Sequence, residues 1–137
     1  MTKLERIVRL RRMAQEKAAS EFATCTHAVT AQRRKIDGLR AERTRLAQVQ
    51  REICRNTVDV RHLKLIVRQT EAIDKQVAGE ERELAELALH AESCRASLEV
   101  AFRKRQGIEK FAARREARRQ EALARRADEV VLRQKIA

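Results

Sequence analysis

Apolar residues recur on alternating three- and four-residue steps along nearly the whole chain, with one interruption near the middle. The first series runs through Leu4, Val8, Ala18, Phe22, Cys25, Val29, Ile36, Leu39, Leu46 and Ile53. Arg11, Gln15, Gln32, Arg43 and Gln50 fall in the same register. The second series runs through Leu63, Ile66, Ile73, Val77, Leu84, Leu87, Ala91, Cys94, Leu98, Ala101, Ile108 and Ala112, with Thr70, Glu80 and Arg105 in step. Such a repeat describes helices that bury one narrow seam and leave their other faces to solvent.

The interruption lies between Ile53 and Leu63. Asn56, Thr57 and Asp59 are cap and turn formers, and Val58 and Val60 are poor helix formers. The pattern predicts two helices, about 3–55 and 60–134, joined by a turn at about 56–60. A connection this short makes them antiparallel neighbours. The expected fold is therefore all-α: one antiparallel two-helix coiled-coil hairpin over residues 1–137, with the second helix the longer.

If facing positions sum to 116, seam meets seam throughout: Ile53 with Leu63, Leu39 with Val77, Val29 with Leu87, Val8 with Ile108. Phe22 then faces Cys94 and Ala18 faces Leu98, large against small. The basic run Arg33-Arg34-Lys35 comes beside Glu80, Glu81, Glu83 and Glu86, and flanking charges of opposite sign fix register and orientation. The one poor pair is Arg11 against Arg105. It calls for outward snorkelling, a local slip of register, or an anionic partner at that end. Gly38 and Gly79 fall nearly opposite each other beside the seam; they read as tolerated surface positions, with a bend as the competing reading.

Composition agrees with an elongated helical unit. The chain has 137 residues, no proline, tryptophan or tyrosine, three glycines and 38% charged residues. With so few aromatics there is little for a globular core, and the sustained repeat argues against disorder. The N-terminal stretch is charged throughout and does not resemble a signal peptide, and no run approaches the roughly 20 apolar residues of a membrane span. Three widely spaced cysteines without a CxxC suit a reducing cytoplasm.

Charge changes the picture more. The net charge is +12. Residues 1–12 hold five Lys/Arg and one Glu, and residues 103–137 hold twelve Lys/Arg and five Asp/Glu, so these termini carry +11 between them. An antiparallel hairpin gathers that charge at one pole, with the basic end of the second helix (Arg114, Arg115, Arg118, Arg119, Arg125, Arg126) extending beyond the first. A field polarised in this way orients the approach of an acidic or anionic partner.

A thin seam offers no catalytic pocket. The serines Ser20, Ser93 and Ser97 sit within helices, Gly38, Gly79 and Gly107 stand alone rather than in a phosphate loop, and Glu80–Glu81 reads as solvated surface. The chain is not expected to be an enzyme. His90 and Cys94 share a helix face, with Cys25 expected across the seam, which are zinc-ligand types. Cys25 and Cys94 occupy positions where small apolar residues are wanted, and His27 points elsewhere, so the expectation is inert cysteines, with no metal and no cofactor. Nucleic acid is a rival partner, given a pI near 10.7. Against it, Glu109, Glu116 and Glu121 interrupt the basic stretch and no aromatic platform exists for bases. A general coiled-coil scaffold is the other alternative, one that shares its seam in four-helix dimers.

The opening Leu4-Glu-Arg-Ile-Val-Arg-Leu-Arg-Arg-Met-Ala-Gln-Glu-Lys-Ala-Ala19 and the closing Arg114-Arg-Glu-Ala-Arg and Ala127-Asp-Glu-Val-Val-Leu-Arg133 resemble the two ends of the FliJ/YscO proteins of flagellar and virulence type III secretion systems. The length, hinge and longer second helix match as well. The resemblance implies a non-enzymatic stalk, similar to the γ subunit of rotary ATPases, seated in the pore of the hexameric type III secretion ATPase. It implies contacts with the cytoplasmic domain of the export gate and with export chaperones, at the cytoplasmic base of the apparatus. Arg9, Arg11, Arg12, Arg115, Arg118 and Arg119 would then face carboxylates of the pore. The family's gate-contacting stripe corresponds to Leu65, Gln69, Ala72 and Gln76, where the usual aromatics are absent and Gln69 replaces an apolar residue. Those missing aromatics incline the assignment toward a virulence system.

Overall fold

Two helices account for the secondary structure of the computed structural model, which describes residues 2–56 and 59–137. Helix α1 is Lys3–Asn56 and helix α2 is Val60–Ile136. Thr57 and Val58, part of the predicted turn, lie outside the described residues, as does Met1.

The helix ends follow from short side chains in the right places. Thr2 and Glu5 form a reciprocal capping box: the Thr2 amide donates to Glu5 Oε2 at 3.1 Å and the Glu5 amide donates to Thr2 Oγ1 at 3.2 Å. Asp59 caps α2, its Oδ1 accepting from the Arg61 amide at 3.1 Å and the His62 amide at 3.4 Å. Arg133 and Lys135 occupy the last turn of α2, where cations complement the helix dipole.

The fold divides into two compact units, Glu21–Arg95 and Met1–Ser20 with Ala96–Ala137. In the first, α1 and α2 pair antiparallel around Val29, Gln32, Ile36, Leu46 and Ile66, all buried. Ion pairs flank this seam with the cation on α1 and the anion on α2: Lys35–Glu80 at 2.9 Å, Arg40–Glu81 at 2.5 Å and Arg43–Asp74 at 2.5 Å. These pairs, with Gln32–Glu80 and Cys25–Cys94, have numbers summing to between 112 and 121. They bracket the predicted 116, as expected when each knob sits among several residues of the facing helix. Cys94 reaches Cys25, one helical step from the Phe22 expected to face it, with the two sulfurs 3.1 Å apart. Arg43 is the exception to the predicted seam. It is exposed, swung out to Asp74, while Glu42 beside it is half-buried.

In the second unit Leu4, Val8, Gln15, Ala18, Leu98, Ala101, Ile108 and Ala112 form a half-buried seam, with Ala18 the most covered at 9% exposure. Arg105 does not confront Arg11. Its Nη1 donates to Gln15 Oε1 at 3.0 Å and its Nε pairs with Glu109 Oε1 at 3.1 Å, the same oxygen that Arg12 Nε meets at 2.9 Å. One carboxylate thus bridges two arginines, leaving the trio with a net charge of about +1. From Ala113 to Ile136 every residue of α2 is exposed.

An added Cβ at Gly38, Gly79 or Gly107 meets nothing within 4 Å, and both helices continue through these positions. Each Gly→Ala substitution is therefore expected to stabilise the fold by about 0.8–1 kcal/mol through helix propensity alone. Urea unfolding monitored by circular dichroism measures this; a loss at Gly38 or Gly79 would restore the reading of a required bend.

Candidate functional site

The terminal unit has the most unusual electrostatics. Residues 1–20 carry six Lys/Arg and two Glu, and residues 96–137 carry twelve Lys/Arg and six Asp/Glu, so the unit holds +10 of the chain's +12. Its seam brings the two basic stretches side by side. A groove of about 1090 Å³ opens there, floored by Leu4, Val8 and Ala112 and flanked by Arg9, Arg12, Arg115 and Arg119. Thr2, Lys3, Glu5 and Glu116 complete its rim. The groove arises where Leu4 and Ala112 are the last half-buried seam residues: α1 ends while α2 continues, and long arginine side chains stand around a shallow apolar floor.

Four of the six arginines expected to contact a partner are thus collected in one place. Arg11 lies elsewhere, in a smaller groove with Ala14, Ser97, Val100, Ala101 and Lys104. Arg118 lines neither groove and is exposed. Among the described residues Arg9, Arg11, Arg115, Arg118 and Arg119 have no carboxylate partner within ion-pair distance, whereas Arg12 is held by Glu109. Sequence reasoning missed Lys104, Glu116 and the anchoring part of Glu109. The i,i+4 spacing of Arg105 and Glu109 was the available signal for the last.

Leu65, Gln69, Ala72 and Gln76 all lie on α2 in the other unit, and all are exposed, Leu65 at 53%. Their spacing places them in one stripe on the helix surface. Leu65 gives the stripe its apolar character; Val67, also exposed, points to the opposite side of the helix.

Carboxylate titration follows the ion pairs. The Glu80 carboxylate is held below its ordinary 4.5 by hydrogen bonds from Lys35 and then Gln32, and Glu109 is lowered by Arg12 and then Arg105. Lys35 is raised above 10.5 by Glu80. For a lowered carboxylate the stabilisation is present above the unfolded value and lost as pH falls through the folded one. The melting temperature is therefore expected to drop as pH falls below about 4.5, steepened by repulsion among the 32 Lys and Arg left uncompensated. The Lys35 contribution runs the other way, present below 10.5 and lost as pH rises through the raised value. Thermal melts across that acid range, with Glu80→Gln and Glu109→Gln together for comparison, test the assignment. A flat profile in the parent would remove these pairs from the stability of the fold.

No helix among the described residues is long and apolar enough to cross a membrane. A family profile described as Flagellar FliJ protein matches residues 1–134. No curated protein and no solved structure matches significantly.

Proposed function

Because the chain belongs to the FliJ family, whose members are non-catalytic components of flagellar and type III export, we propose that it is the coiled-coil stalk of a type III secretion ATPase. In this reading the terminal unit enters the pore of the hexameric ring, at the cytoplasmic base of the apparatus. Arg9, Arg12, Arg115 and Arg119 around the groove, with Arg11 and Arg118 on neighbouring faces, meet carboxylates of the pore. The stripe Leu65, Gln69, Ala72 and Gln76 meets the cytoplasmic domain of the export gate, and exposed helix surface serves export chaperones. The observation that carries the proposal is the concentration of +10 in one unit, with five arginines unpartnered among the described residues. Solvated charge of this kind attracts an acidic surface over about a Debye length without a dry interlocking interface, which suits a contact that shifts between subunits.

The test is ATP hydrolysis by the cognate secretion ATPase at moderate salt, with and without the full chain. Stimulation together with binding supports the stalk. No stimulation and no binding would sink it, and tight salt-dependent association with duplex DNA under the same conditions would put nucleic acid in its place.

A further inference from the structure

We propose that Cys25, His90 and Cys94 form a binding site for a thiophilic divalent cation, zinc being the expected occupant. The three residues belong to the unit Glu21–Arg95 and lie well away in sequence from the basic grooves. Cys25 Sγ and Cys94 Sγ stand 3.1 Å apart across the seam, and His90 Nε2 lies 3.9 Å from Cys94 Sγ. All three ligand atoms fall within 4.8 Å of one another. Thiolates about 2.3 Å from a tetrahedral zinc stand roughly 3.8 Å apart, and a thiolate and an imidazole nitrogen roughly 3.6 Å apart. The site therefore needs the sulfurs to open by about 0.7 Å and the imidazole to close by about 0.3 Å on Cys94 and by up to about 1.2 Å on Cys25, a movement that rotation of the exposed His90 side chain supplies.

The helical spacing explains why these groups converge. His90 and Cys94 are four apart on α2 and face the same way. Both cysteines are half-buried, while His90 is exposed and keeps the site open to solvent. Glu21 is four residues before Cys25 on α1, placing a carboxylate on the same side. It contributes to holding the Cys94 thiol above its ordinary value, after the hydrogen bond from Cys25, burial and the charge of Cys25 itself. Two thiols this close serve each other only as weak hydrogen-bond partners. A dication takes both as thiolates, releases their protons and leaves the pair neutral, so the seam gains a cross-link without gaining charge. Two sulfurs and one imidazole select zinc over magnesium or calcium, and Glu21 or water completes four-coordination.

The experiment titrates the reduced, metal-free full chain with cobalt(II) and then zinc. One equivalent should give thiolate-to-cobalt charge transfer and tetrahedral d–d bands, which zinc abolishes, while zinc shields Cys25 and Cys94 from thiol reagents and leaves Cys54 reactive. Cys54 is exposed, so Cys54→Ser should bind as the parent does. Cys94→Ser should weaken binding at least about 100-fold, since outer-shell losses alone cost about 10–100-fold. His90→Ala, which leaves the seam side chains in place, should change the cobalt spectrum and weaken binding in the same direction. Absence of tetrahedral bands would overturn the proposal. So would unchanged affinity in both variants, or a Cys25–Cys94 disulfide that forms in place of the metal complex under reducing conditions.

Discussion

A chain ending at Ala113 is expected to fold as the full chain does yet leave the secretion ATPase at its unstimulated rate. The segment it lacks is exposed at every described helical position from 114 to 136, so no seam contact is lost with it. It does lose Arg114, Arg115, Arg118, Arg119, Arg125, Arg126, Arg133 and Lys135 against Glu116, Glu121, Asp128 and Glu129, a net +4. It also loses Arg115 and Arg119 from one wall of the terminal groove. Steering by charge changes association rates by about 10–10³, so at low salt the truncated chain should associate at least about tenfold more slowly. The double substitution Arg115→Glu and Arg119→Glu separates charge from length. It keeps the helix and should reproduce most of the loss, and added salt should narrow the gap between it and the parent. Full stimulation by the truncated chain would move the contact to residues 1–113, with Arg9, Arg11 and Arg12 as its carriers.

The seam was legible in the sequence because a 3,4 repeat has one structural solution once the chain is free of proline. In α2 every predicted seam residue from Leu63 to Ala112 is buried or half-buried, including the polar Thr70, Glu80 and Arg105. In α1 the pattern failed only at Arg43, whose long side chain finds Asp74 outside the seam at lower cost than burial. Antiparallel pairing was equally legible, since the short connection between the two helices lets neighbours run only that way. The capping box at Thr2 and Glu5 has a readable spacing that the reading of the repeat did not use.

Individual contacts were less legible. Arithmetic on residue numbers placed Arg105 against Arg11, yet an arginine spans more than one helical turn and takes the nearest acceptor, here Glu109 and Gln15. The same limit applies to the arginine cluster. Sequence gave six candidates by resemblance, and only the end of α1 beside a continuing α2 decides that Arg9, Arg12, Arg115 and Arg119 share a groove while Arg11 does not. For Cys25, His90 and Cys94 the periodicity explained the cysteines as small seam residues. Their mutual distances show a convergence that periodicity does not require.

Replacing Ile66 with alanine is expected to destabilise the fold by about 2–5 kcal/mol, the range for a buried isoleucine or leucine cut to alanine. Ile66 is 2% exposed and Ile36 is 3% exposed, the best-covered side chains among the described residues. Few others are as well covered, so neighbours across a two-helix seam have little freedom to collapse onto the gap without exposing themselves. Folded domains commonly hold about 5–15 kcal/mol in all, and one such loss removes a large part of it. Leu65, the preceding residue, is 53% exposed, and Leu65→Ala should change stability by no more than about 0.5 kcal/mol. The pair separates seam packing from helix propensity, because both substitutions place alanine in the same turn. Ile36→Ala should match Ile66→Ala, and the two losses should add within about 0.5 kcal/mol, since the residues face different stretches of the opposite helix. Urea unfolding followed by circular dichroism measures all four variants. Equal, small effects at Leu65 and Ile66 would mean that the seam between Glu21 and Arg95 does not hold the helices together, and that stability comes instead from helix propensity and flanking charge.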